Sequence, residues 1–151
     1  MSLKITKEKI YDSCNSYVHE RMETALQAIA SVQAVGEEDT KSSAGDKYET
    51  GREMMKQEIE RHQQLLTQAQ QMEQVLTKLT LQQHKIVGPG SLVQTDEGLF
   101  YLAIGIGRLV VEGEEVFVLS PSSPVGKLLI GKGVGDSFSF NTKTYKVLNI
   151  E

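Results

Sequence analysis

The chain carries two stripes of apolar residues, each repeating at steps of three and four, with one polar stretch between them. In the first stripe Tyr11, Cys14, Val18, Met22, Ala25, Ile29 and Val32 fall on one face of a helix from about Thr6 to Val35. The second reads Met55, Ile59, His62, Leu65 or Leu66, Ala69, Met72, Leu76 and Leu79 in heptad spacing, and glutamines fill much of its outer face. Two such helices joined by a short connection bury their seams only against each other, so the spacing predicts an antiparallel coiled-coil hairpin. The connection begins at Gly36 and continues Glu37-Glu38-Asp39-Thr40-Lys41-Ser42-Ser43-Ala44-Gly45, small, polar and charged as a solvated turn should be. Helices of about 30 residues span roughly 45 Å. A two-helix rod has little interior for an enclosed catalytic pocket, which directs attention to its tip.

Punctuation separates a second architecture from the first. All three prolines and ten of the thirteen glycines fall at or after Gly88. Short runs with β character follow one another there: 91–95, 98–104, 108–111, 115–119, 137–140 and 144–150, most of them divided by turn formers such as Asp96-Glu97-Gly98, Glu112-Gly113 and Asn141-Thr142. One segment differs. Ser123-Pro124 opens it and Gly131 closes it, the start and stop signals of a helix of about two turns. The expected class is α+β: a hairpin over 1–82 with an acidic tip at about 36–53, a linker at 83–90 whose Gly88-Pro89-Gly90 is suited to a hinge, and a small β-rich domain with one short helix over 91–151.

Bulk chemistry narrows the functions open to such a chain. A formal net charge of -4 argues against non-specific coating of nucleic acid, which requires a basic surface. The single cysteine forms no internal disulfide, no apolar stretch approaches the roughly 20 residues that cross a bilayer, and the first residues lack the apolar core of a signal peptide, so a soluble cytoplasmic protein is expected. Cys14 lies on a core stripe and reads as a packed thiol. His19, His62 and His84 have no partners at metal-site or triad spacing. Gly131-Lys132-Gly133-Val134-Gly135 lacks the order of a phosphate loop and precedes a strand, which speaks against nucleotide binding.

Two segments carry a resemblance. Ser123-Pro124-Val125-Gly126-Lys127-Leu128-Leu129-Ile130-Gly131-Lys132-Gly133-Val134-Gly135-Asp136 resembles the C-terminal signature of the GreA/GreB transcription elongation factors, and Tyr145-Lys146-Val147-Leu148-Asn149-Ile150-Glu151 is similar to their last strand. Gly45-Asp46-Lys47-Tyr48-Glu49 fits the Gly-Asp-x-x-Glu of the Gre hairpin tip, with Lys47 where the family usually has an aliphatic residue and Thr50 where it has asparagine. The resemblance implies an FKBP-like C-terminal domain that docks on RNA polymerase at the rim of its secondary channel through Ser123, Pro124, Gly126 and Lys127, while the hairpin enters the channel and meets nascent RNA only indirectly. It implies no stand-alone catalytic site and no tightly bound cofactor. Asp46 and Glu49 would help to hold the magnesium of the polymerase active site, where backtracked RNA is cleaved.

Residue chemistry admits that role and a plainer one. Magnesium commonly takes one or two protein carboxylates and completes its shell with water and phosphate oxygens. An N-cap aspartate with a glutamate at N3 is equally a capping box, and both roles can hold at once. The acidic run Glu37-Glu38-Asp39 reads as solvated charge. The altered tip keeps open a Gre-fold regulator that occupies the channel without cleavage; a peptidyl-prolyl isomerase or a coiled-coil adaptor stand further off.

Overall fold

The structure is a computed structural model that describes residues 5–42 and 46–151, without the side chains of 37–42 and 46–49. Two long helices, α1 (Lys7–Ser42) and α2 (Asp46–Lys78), precede six strands and a short helix: β1 (Leu92–Thr95), β2 (Gly98–Leu102), β3 (Gly107–Val111), β4 (Glu114–Leu119), α3 (Pro124–Leu129), β5 (Ser137–Phe140) and β6 (Lys143–Ile150). The α+β layout, a helical hairpin followed by a sheet with one short helix, is the one expected. By compactness the chain forms two units: Asn15–Gln74, the body of the hairpin, and Met1–Cys14 with Val75–Glu151, the sheet together with the first turns of α1 and the last of α2. The sequence reading draws its division later, at 83–90.

In the hairpin unit the seam follows the two stripes. Val18, Ala25 and Ala69 are buried, and Met22, Ile29, Val32, Met55, Ile59, His62, Leu66 and Met72 are half-buried. Helix α1 does not stop at Gly36. It continues to Ser42, seven residues into the stretch expected to be a turn. The end of an apolar stripe marks the end of a buried face and not of a helix: Glu37, Glu38 and Lys41 are good helix formers, and Glu37 and Lys41 have the favourable i, i+4 order. Gly36 has a packing reason, since a Cβ there would stand 3.0 Å from Met55 Sδ.

The six strands form one sheet in the order β3-β4-β2-β1-β6-β5. All neighbours are antiparallel except β2 and β4, which run parallel because β3 lies outside β4 and carries the chain back. Two-residue turns join β3 to β4 and β5 to β6 with positive φ at Glu112, Gly113, Asn141 and Thr142, the backbone sense that suits the twist of paired strands. Side chains alternate across the sheet. Val93, Phe100, Leu102, Phe138, Val147 and Ile150 build one core with Leu129 of α3 and Val87 of the preceding segment. Leu92, Tyr101, Val116 and Val118 alternate with that set and are equally buried, as are Ile10, Cys14 and Leu76 from the helical part of the same unit. Both faces of the sheet are therefore covered.

Candidate functional site

Helix α3 is built by its first residues. The Ser123 hydroxyl donates to the Ser120 carbonyl at 2.7 Å and accepts from the Gly126 N–H at 3.1 Å, which makes Ser123 the N-cap. Pro124 follows at N1, where no N–H is needed. Gly126 admits no side chain: a Cβ would stand 2.3 Å from the Ser120 carbonyl oxygen and 2.8 Å from Ser123 Oγ. Of the four residues expected to meet a partner, Gly126 is buried, Ser123 is half-buried, and Pro124 and Lys127 are exposed. Ser123 and Gly126 shape the helix from which Pro124 and Lys127 project.

The glycine-rich continuation is a second built structure. Gly131 N–H donates to the Val87 carbonyl and Val87 N–H to the Lys132 carbonyl, each at 2.9 Å, so segment 85–87 is clipped to 131–132. A turn over 133–136 is closed by the Asp136 N–H on the Gly133 carbonyl at 3.1 Å, and the Asp136 carboxylate accepts from Gly133 N–H at 2.7 Å. The amides of Gly131, Lys132, Gly133 and Gly135 all have acceptors within the protein. These four amides are already committed within the protein.

Asp46 and Glu49, the expected metal ligands, stand in the first turn of α2, which begins at Asp46. Positions i and i+3 of a helix neighbour each other. Their side chains, like those of Glu37, Glu38, Asp39, Lys41 and Lys47, lie outside the described residues, as does Gly45 altogether. Further along α2, exposed Arg52 and Lys56 line a cleft of about 980 Å³ with Glu53, Glu60 and the seam residues Met55 and Ile59. Among the described residues no group of three or more His, Cys, Asp or Glu side chains could hold a metal ion.

Groups with perturbed acidity lie in the sheet unit and have structural causes. Burial pushes the Cys14 thiol up to about 12, which removes it as a nucleophile. Burial also raises the Tyr101 phenol well above its ordinary range, helped by the nearby Cys14 and Tyr11. His84 is lowered by burial and by the Lys7 ammonium, and its Nδ1 stands 2.6 Å from Ser91 Oγ.

Sequence reasoning missed one feature of this unit. Ile86, Ile130 and Val134 are exposed by 58%, 39% and 62%. In the sequence Ile130 stands within the 123–136 signature and Ile86 within the expected linker, and neither position announces an exposed apolar side chain. The available signal was Val134, an apolar residue placed between two glycines of a turn.

Hairpin, sheet and the 123–136 segment together define an α+β protein. No protein-family model matches the chain, and none of the curated proteins matches it. Among solved structures it is similar to the transcription factor Gfh1, at 21% identity over 89% of this chain and 91% of the other, with a TM-score of 0.35. It is similar also to the GreA factor homolog 1 (Gfh1) protein of Thermus thermophilus, at 21% identity, 98% and 96% coverage and a TM-score of 0.35. For Thermus aquaticus Gfh1 the values are 21%, 92%, 94% and 0.36.

Proposed function

We propose that this chain is a Gre-like transcription factor that binds RNA polymerase at its secondary channel and stimulates cleavage of backtracked transcripts. The observation that carries the reading is one of combination. A chain whose 123–136 segment matches the Gre signature also forms a hairpin of 36- and 33-residue helices, and Asp46 and Glu49 stand one turn apart where the second helix begins. At 1.5 Å per residue such helices are about 50 Å long, enough to carry a tip deep into a channel while Pro124 and Lys127 engage its rim.

Two carboxylates fit the magnesium of a polymerase active site as added ligands and not as a complete site. Magnesium commonly accepts one or two protein carboxylates beside waters and phosphate oxygens. When bound, such an ion activates water or stabilises a leaving oxygen. Asp46 and Glu49 would supply anionic oxygens at a helix start, where the dipole favours negative charge in the absence of a metal. Catalysis then belongs to the complex, and the chain needs no stand-alone catalytic site.

A second reading keeps the docking and drops the cleavage. Lys47 and Thr50 depart from the Gre tip, and a cation between the two acids lowers their pull on a metal. The isomerase reading has less support: Phe100 and Phe138 are buried under Leu128, Leu129 and Val125 as core.

Stalled, backtracked elongation complexes with magnesium decide between the first two. Cleavage stimulated by wild type and lost in Asp46→Ala/Glu49→Ala is the expected result. Wild-type binding without cleavage would select the regulator, and no binding at all would remove both.

A further inference from the structure

We infer that the partner-facing surface of the sheet unit extends beyond α3 to an apolar patch of Ile86, Ile130 and Val134, whose segments also carry Lys85, Lys127 and Lys132, and that it takes an apolar protein surface bordered by carboxylates. This rests on the polymerase reading and specifies the chemistry of the partner surface that it requires.

The three apolar residues share one backbone framework. Ile130 caps α3, its N–H donating to the Gly126 carbonyl at 3.0 Å. Ile86 belongs to the segment clipped to 131–132, and its Cδ1 lies 3.6 Å from where a Cβ on Gly133 would stand. Val134 occupies the corner of the turn over 133–136, whose next residue, Gly135, has a φ of +93°. Hydrogen bonds hold all three segments, so these side chains are presented on a fixed frame and a partner would not have to order it. Lone exposed apolar residues need no explanation, but three on clipped neighbouring segments form a patch.

Charge supplies the identity of what covers it. Segments 85–87 and 127–136 contain three lysines and one carboxylate, that of exposed Asp136, which accepts from the Gly133 amide at 2.7 Å, so cations outnumber it. The chain as a whole is acidic, with a formal net charge of -4, so this local excess of cations runs against the average. An apolar centre with a cationic rim is complementary to an apolar surface with an anionic rim.

The test is binding of the full chain to immobilised core RNA polymerase at low and at raised salt. Ile86→Ser/Val134→Ser and Lys127→Glu/Lys132→Glu are each expected to weaken binding by about tenfold, and the lysine pair also to remove most of the salt dependence. Val110→Ser, at an apolar site on β3 that is 58% exposed, is expected to stay within about twofold of wild type. Binding is compared only between proteins with matching urea midpoints, and Ile86→Ala/Val134→Ala replaces the serine pair if that pair unfolds early. Wild-type binding that both pairs leave unchanged overturns the surface and spares the polymerase reading. Loss in one pair alone overturns either the apolar centre or the anionic rim. An equal loss in Val110→Ser overturns the patch as the site, and absence of wild-type binding removes the reading and the surface together.

Discussion

The sheet unit and the hairpin unit bury their apolar residues to different depths. Leu92, Leu102, Val116 and Leu129 are wholly shielded in the sheet unit, where both faces of the sheet are covered. Among the described residues the buried apolar side chains of the hairpin unit are Val18, Ala25 and Ala69, two of them alanines. A sheet offers two faces to two layers, whereas each helix of a pair has one neighbour and leaves the flanks of its seam in water. The hairpin has reach and little packing, and the sheet unit has the packing and a built surface. Elements with few buried contacts open at lower cost than well-packed ones.

Equal truncations in the two units test this difference most strongly. Leu102→Ala in the sheet core is expected to cost about 2–5 kcal/mol, and Ile59→Ala in the half-buried seam about 1–2 kcal/mol. Urea unfolding followed by circular dichroism, with amide exchange to separate the units, measures both. A hairpin truncation as costly as the sheet truncation would break the comparison.

Within the sheet unit, Gly126→Ala sharpens it. The added Cβ meets the Ser120 carbonyl at 2.3 Å, so the turn before α3 must shift. The expected loss is about 1–3 kcal/mol; on the function proposed above, polymerase binding weakens as well, because Pro124 and Lys127 move with the helix. A change within the error of the urea midpoint would show that the turn yields freely.

Tyr101→Phe has the opposite sign. Its hydroxyl is buried and has no hydrogen-bond partner among the described residues, which costs free energy that the phenyl ring does not. A gain of about 1 kcal/mol is expected. A loss would mean that the hydroxyl is satisfied and the core better matched than its geometry implies.

How much of this was legible beforehand depended on the range of each signal. The seam was legible because Val18, Ala25 and Ala69 sit where the three-and-four spacing puts them. Strand positions were legible from short β-like runs divided by turn formers such as Asn141-Thr142, and the ends of α3 from Ser123, Pro124 and Gly131. The end of α1 was not, because residues 37–42 carry no apolar stripe although their propensities are helical. The parallel pairing of β2 with β4 was not, because turn residues such as Glu112-Gly113 report which strands are consecutive and say nothing of which lie side by side. Asp46 and Glu49 stand as proposed ligands only through resemblance, since two acids at i, i+3 are also ordinary capping. Spacing could not tell residues that shape α3, as Ser123 and Gly126 do, from residues that project from it, as Pro124 and Lys127 do.

The smallest expected effect concerns acidity and separates the units by chemistry. Burial, and then the Lys7 ammonium, hold the His84 imidazole below its ordinary value of 6.5. The folded sheet unit thus prefers neutral His84, while the unfolded chain accepts a proton already near 6.5, so the unfolded state binds more protons in that range. Stability from this site is complete above the unfolded value and is lost as pH falls through the folded one. Wild type is expected to lose more stability than His84→Gln between pH 7.5 and 5.5, the choice of range bracketing about 6.5, with the change read in the sheet-unit amides. Parallel loss in both proteins would place the pH dependence elsewhere. A loss confined to the hairpin amides would reverse the comparison, making the thinly packed unit the acid-sensitive one.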